Sequence, residues 1–110
     1  FLLAAPIAQH LGVGVVPLRK PGKLPAARHR VAYALEYGED ALEAHRDACV
    51  GGRVLLVDDV LATGGTAAAA CTLVEAVGGS IAGCAFLLEI GALPGRAALG
   101  GRAIHTLLTA

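Results

Sequence analysis

Methionine and tryptophan are absent, and aromatic side chains make up only 4% of the chain, two phenylalanines and two tyrosines. Net charge is missing as well: nine Lys and Arg balance nine Asp and Glu among 110 residues. No strong field therefore draws the chain toward nucleic acid or an anionic membrane. Long apolar runs are lacking too. The most apolar stretch, residues 1–18, is interrupted by Pro6, Gln9 and His10 and has no basic leader, so neither a membrane span nor a secretory signal is expected. Cys49, Cys71 and Cys84 are odd in number and share no metal-ligand spacing. They are expected to be reduced, small core residues of a cytoplasmic protein. No initiator Met stands before Phe1, which reads as the middle of a helix, so part of the domain is expected to lie upstream.

What is present is an apolar majority, 55% of residues, dominated by Ala, Val and Leu. That mix suits tightly packed helix–sheet layers whose strands are buried on both faces, and it is the reverse of a disordered composition. The length allows one small domain over residues 1–110. Leu3, Ile7 and Leu11 predict a helix over residues 2–11 closed by Gly12. Residues 14–18 read as a buried strand. Residues 19–30 hold Arg19, Lys20, Lys23, Arg28 and Arg30 among Pro21, Gly22 and Pro25, and read as a mobile basic loop. A strand over 31–37 and a return over 41–45 are expected, joined through Gly38, Glu39 and Asp40. Residues 53–58 form the clearest strand, four apolar residues ending in acid. A helix over 66–77, with Ala67, Ala70, Cys71, Val74 and Val77 inward, stops at Gly78 and Gly79. Two further strands are expected over 81–88 and 104–108. Strand, helix and strand in succession predict an α/β fold, a mostly parallel central sheet flanked by helices.

The chemistry concentrates in residues 57–66, Val-Asp-Asp-Val-Leu-Ala-Thr-Gly-Gly-Thr. A buried strand delivers Asp58 and Asp59 at its C-terminal end, the edge where open parallel sheets bind ligands. Gly64 and Gly65 allow close backbone approach, so that N–H groups and the positive end of the next helix converge on one anion, with the Thr63 and Thr66 hydroxyls as added donors. Carboxylates beside a phosphate would grip vicinal ribose hydroxyls or a magnesium ion. A P-loop is excluded because Gly65 stands where its Lys belongs. The spaced Gly12 and Gly14 lead into a strand, not out of one, which excludes a dinucleotide fingerprint. The plain alternative is that the acid pair and the Gly-Gly turn merely cap the following helix.

This segment resembles the signature of the type I phosphoribosyltransferases, which use phosphoribosyl pyrophosphate. Arg19-Lys20-Pro21-Gly22-Lys23-Leu24-Pro25 and Leu35-Glu36-Tyr37-Gly38 are similar to the mobile loop and following strand of the adenine phosphoribosyltransferases, and residues 1–6 to the helix start after an Arg-Gly pair in that family. The resemblance implies that family's fold, with a mobile loop or hairpin over the site. It implies that Asp58 and Asp59 hold the ribose hydroxyls, directly or through magnesium, and that Ala62, Thr63, Gly64, Gly65 and Thr66 cradle the 5-phosphate. Lys20, with Arg19 and Lys23, would neutralise the pyrophosphate leaving group, and Arg19 would reach a partner subunit of a homodimer. Glu36 would manage the proton on the purine ring nitrogen. The base-binding hood and the Arg-Gly pair would belong to the upstream part of the domain.

The implied reaction is purine salvage, adenine plus phosphoribosyl pyrophosphate giving AMP and pyrophosphate. Hypoxanthine-guanine enzymes of this fold carry an acid at the Ala62 position. Ala62 cannot exchange a proton, which favours adenine, although xanthine enzymes and related regulators lack that acid as well. A non-catalytic regulator that senses phosphoribosyl pyrophosphate is the reading from another class. The balanced charge and Glu36 argue against it. His10, His29, His45 and His105 show no ligand spacing and are expected at the surface or in packing.

Overall fold

Parallel strands cannot be joined by a tight turn; each pair needs a crossover of a dozen or so residues, usually helical. The residues after position 50 obey that rule twice. In the computed structural model, which describes residues 2–19 and 51–110 and the strand backbone at 28–35 and 38–45, β3 (Arg53–Leu61) runs through α2 (Gly65–Ala76) into β4 (Ser80–Glu89). A second crossover through the short α3 (Gly95–Ala98) leads to β5 (Ile104–Thr109). The three strands lie in the order β3-β4-β5, all parallel, paired from Arg53 against Ser80 to Leu61 against Glu89 and from Cys84 against Ile104 to Glu89 against Thr109.

The N-terminal elements are α1 (Ala4–Leu11) and an antiparallel hairpin of β1 (Arg28–Leu35) and β2 (Gly38–His45). In α1, Pro6 falls within the first turn, where its missing N–H costs nothing. Gly12 closes the helix at φ 69°, a left-handed conformation open to glycine. The hairpin backbone approaches α2.

Helix α2 forms the core. Its inward residues Ala67, Ala69, Ala70, Cys71 and Leu73 are buried in one cluster with Leu56, Leu61, Cys84, Phe86 and Leu99. Val74 and Val77 make a smaller cluster with Val54, Leu18 and Ile81. Gly78 at φ 91° and Gly79, whose N–H bonds the Val74 carbonyl at 2.9 Å, end the helix where the sequence predicts. Cys71 and Cys84 are free and buried, their sulfurs 3.9 Å apart. Burial pushes both thiols up, Cys84 to about 12, so they behave as small apolar residues, as expected. Cys49 lies outside the described residues. His10 and His105 are exposed.

Four expectations need correction. Residues 28–30, read as the end of the basic loop, open β1, which ends at Leu35 rather than at residue 37. Residues 14–18 form no strand; Val13, Val15 and Val16 are exposed, Leu18 packs on the core, and only Arg19 makes a bridge pairing. An apolar run states a demand for burial but supplies no backbone partner. Gly38, Glu39 and Asp40 are not a connector but the start of β2: Leu35 pairs with Gly38, leaving only residues 36 and 37 between the strands. A ladder uses backbone groups that every residue type but proline carries in full, so poor strand formers can sit in it. Finally, β3 continues through Asp58 and Asp59 to Leu61.

Leu73 is fully buried and Leu107 is 67% exposed, which separates core from surface. In the full-length protein Leu73→Ala is expected to lower the unfolding free energy by about 2–5 kcal/mol, and Leu107→Ala by less than about 0.5 kcal/mol. Chemical denaturation checks both; equal losses would mean that the α2 cluster is not the core.

Candidate functional site

β3 brings Asp58 and Asp59 to the C-terminal edge of the sheet within the ladder itself, Asp58 opposite Phe86. Neighbours on a strand start from opposite faces. Asp58 is half-buried and Asp59 exposed. Each carboxylate accepts a short bond from the next backbone N–H: Asp59 donates to Asp58 Oδ1 at 2.9 Å, and Val60 to Asp59 Oδ1 at 2.8 Å. Neither aspartate caps α2, so the capping alternative fails for the acid pair and holds for the Gly-Gly turn. The N-cap is Gly64, at φ 85°, ψ 0°, which has no side chain to offer.

The loop between strand and helix is Ala62, Thr63 and Gly64. Gly64 is buried, Ala62 and Gly65 are half-buried, and Thr63 and Thr66 are exposed. Gly65 N–H reaches the Thr63 hydroxyl at a long 3.4 Å, and the first helical bond runs from Ala68 N–H to the Gly64 carbonyl at 2.8 Å. A helix start without a side-chain cap leaves first-turn N–H groups directed outward at the positive end of the helix dipole. Together with the two threonine hydroxyls, this geometry suits a phosphate. The short α3 and the clamp of Arg96 on Glu89, 2.7 and 2.9 Å across the guanidinium fork, lie at the same sheet edge. Sequence reasoning missed both; the signal was the Gly95-Arg96 pair after the strand end, too short to read as an element.

Of the other predicted site residues, Arg19 is exposed, following the irregular residues 13–18. Lys20, Lys23 and Glu36 lie outside the described residues. Among the described residues no three His, Cys, Asp or Glu gather as a metal cluster, and no helix is long and apolar enough to cross a membrane.

Burial raises the Asp58 carboxyl above its ordinary range; the Asp59 N–H opposes this and the Asp59 carboxyl adds to it. An acid with a higher pKa in the folded chain holds its proton more tightly there, so folding loses stability as pH rises from the unfolded to the folded pKa, and the loss persists at neutral pH. Asp58→Asn, which keeps an oxygen for the Asp59 N–H, is therefore expected to raise the melting temperature near about pH 7, with the gain closing near about pH 3. A melting temperature lowered at both pH values would assign Asp58 to the fold instead.

Residues 1–97 match the family model described as the phosphoribosyl transferase domain. The adenine phosphoribosyltransferase of Nocardioides sp. is 62% identical over 110 residues, which is 99% of this chain and 60% of that protein. The crystal structure of adenine phosphoribosyltransferase from Thermoanaerobacter pseudethanolicus superposes with a TM-score of 0.96 at 52% identity, covering 100% of this chain and 64% of that one. The Trypanosoma brucei adenine phosphoribosyl transferase, solved in complex with AMP, pyrophosphate and ribose-5-phosphate, is 30% identical with a TM-score of 0.91, over 99% of this chain and 52% of that one. This chain thus spans roughly 60% of the length of the curated relatives it matches. By sequence and by fold, it belongs to the phosphoribosyl transferase domain family.

Proposed function

We propose that the protein carrying this chain is a purine salvage transferase that converts adenine and phosphoribosyl pyrophosphate to AMP and pyrophosphate. The observation that carries the reading is the junction of β3 and α2: an acid pair inside a ladder, followed by an uncapped, glycine-built helix start. A ribose 5-phosphate offers a phosphate to the loop of Ala62, Thr63, Gly64, Gly65 and Thr66 and a diol to Asp58 and Asp59. The Trypanosoma brucei relative, with ribose-5-phosphate, AMP and pyrophosphate bound in a like fold, supports the match.

In the reaction, a purine ring nitrogen forms a bond to the anomeric carbon while the bond to the pyrophosphate oxygen breaks. The ring nitrogen's proton passes to a base, the role that falls to Glu36. The passage is oxocarbenium-like, so the leaving group needs its charge neutralised more than the nucleophile needs activation. Lys20, Lys23 and Arg19 serve that purpose, and a basic loop closing over the site keeps water from the activated sugar. Two carboxylates fit a magnesium ion that arrives with the substrate's phosphates, since such ions take one or two carboxylates and fill their shell with phosphate and water. When bound, it adds charge neutralisation on the pyrophosphate. The half-buried Asp58 is suited to this, because a cation or a hydroxyl donor relieves the cost of its ionised form. The reading includes a cytoplasmic homodimer in which Arg19 reaches the partner.

Ala62 brings no acid to the base, so proton handling and purine choice fall to Glu36 and the rest of the domain. The full-length protein is expected to turn over adenine and barely to use hypoxanthine or guanine. Glu36→Gln should lower turnover by about a hundredfold or more, with little change in phosphoribosyl pyrophosphate affinity. A steady-state assay of the three purines decides between outcomes; preference for guanine, or normal turnover of Glu36→Gln, overturns the assignment.

A further inference from the structure

The phosphate loop has little of its own to hold it in shape. Gly64 takes a left-handed conformation without a capping side chain, and among the described residues the loop's side-chain bond is the long contact of Gly65 N–H with the Thr63 hydroxyl. Its support comes from behind. A Cβ at Gly64 would lie 2.5 Å from Ala98 Cβ and 2.7 Å from the Gly95 carbonyl oxygen. A Cβ at Gly95 would lie 2.6 Å from the Ala62 carbonyl oxygen and 2.7 and 2.9 Å from Leu61 Cγ and Cδ1. These separations are closer than side chains tolerate, and the atoms met are backbone, the Ala98 Cβ that is fixed to it, or the fully buried Leu61, so none can swing aside. The loop and the α3 turn therefore touch backbone to backbone through two buried glycines.

The α3 turn is in turn fixed at several points. Leu99 at its C-terminal end is fully buried in the α2 cluster. Arg96 grips Glu89 with both arms, and Thr106 on β5 donates to the same carboxylate at 3.3 Å. Arg102 donates to the Leu99 carbonyl at 3.1 Å and pairs with Glu75 of α2 at 2.6 Å. Glu89 is only 12% exposed at the end of β4, and a bidentate guanidinium pair at such a place fixes direction as well as distance.

We infer that Gly95 is a positioning residue for the phosphate loop, with the α3 turn as the loop's rear support and the Glu89–Arg96 pair as the clamp that holds this turn against the sheet. The inference rests on the loop being the phosphate site. The clamp acts through the turn, and the turn acts through the Ala62 carbonyl and Gly64. Displacing it redirects the N–H groups of Gly65 and Thr66, and small misplacements of such groups are costly to binding.

The test uses the full-length protein, hydrogen exchange read by segment, and ribose 5-phosphate titrated with and without magnesium. Gly95→Ala is expected to speed exchange at residues 63–67 by about fivefold or more while residues 84–88 keep their protection. It should weaken ribose 5-phosphate by about tenfold or more and raise KM for phosphoribosyl pyrophosphate well beyond any change in kcat. Arg96→Leu, altering a side chain that is 54% exposed, should shift exchange and affinity the same way to a smaller extent, with Arg96→Lys between it and the parent. A merely structural role would loosen sheet and loop together and leave the affinity of the folded protein unchanged. If Gly95→Ala does not fold, Arg96→Leu decides: wild-type loop exchange and wild-type affinity in that variant overturn the inference. Parent protein whose loop exchange answers to both substitutions, yet which binds no ribose 5-phosphate, would uphold the support and refute the phosphate reading instead.

Discussion

Helix α2 can stand directly behind the end of β3 only because its inward face is made of small residues. Ala67, Ala69, Ala70 and Cys71 are all nearly inaccessible, and they let the helix axis approach the sheet closely enough for a three-residue loop to join strand and helix. Larger residues would force the helix outward, lengthen the connection and turn its first N–H groups away from Asp58 and Asp59. Leu73 and Val74 then fill the wider space further along the helix, against Leu56 and Phe86 at one side and Val54 and Ile81 at the other. The close approach of the two sulfurs of Cys71 and Cys84 belongs to the same economy of volume, and burial raises both thiols, which disfavours the reactive thiolate.

The electrostatics at the strand end set two opposite demands side by side. Asp58 is half-buried next to a second carboxylate, an arrangement that disfavours its charge. A few residues on, a helix start presents partial positive charge without a carboxylate or hydroxyl in capping position. Neither acid caps the helix; each accepts its neighbour's N–H instead. One site wants donors or a cation and the adjacent one wants an anion. A phosphorylated sugar satisfies both at once, which is the physical content of the proposed function.

Around this pair the fold spends its specific polar contacts on stiffness. At the same sheet edge, Arg96 lowers the pKa of the Glu89 carboxyl by bonding it. The ion pair is therefore present through the neutral range and is lost as pH falls through that lowered value. Arg102 ties α2 to the far side of the same turn. Strand ends, helix start and α3 turn form one frame, and its members are separated in sequence by stretches that show no sign of the contact.

Much of this was readable from the residues in order. The apolar run ending in acid announced β3, the Ala-Cys-Val spacing announced the inward face of α2, and the Gly-Gly pairs marked both of its ends, because period, breakers and terminal charges are local properties of a chain. The carboxylate pair and the glycine loop together carry the proposed class of ligand, since their chemistry depends on adjacency. Register and partnership are not local. Nothing in residues 14–18 says that they lack a strand neighbour, and nothing in Gly38, Glu39 and Asp40 says that Leu35 will pair with the first of them. Likewise Gly95 reads as a turn residue until the sheet brings it under Gly64, where the missing Cβ matters because two backbones occupy the space. The sequence alone determined which acids, glycines and threonines stand adjacent in the proposed site; the tertiary structure decided what holds them in place, because that depends on distances between segments that only packing fixes.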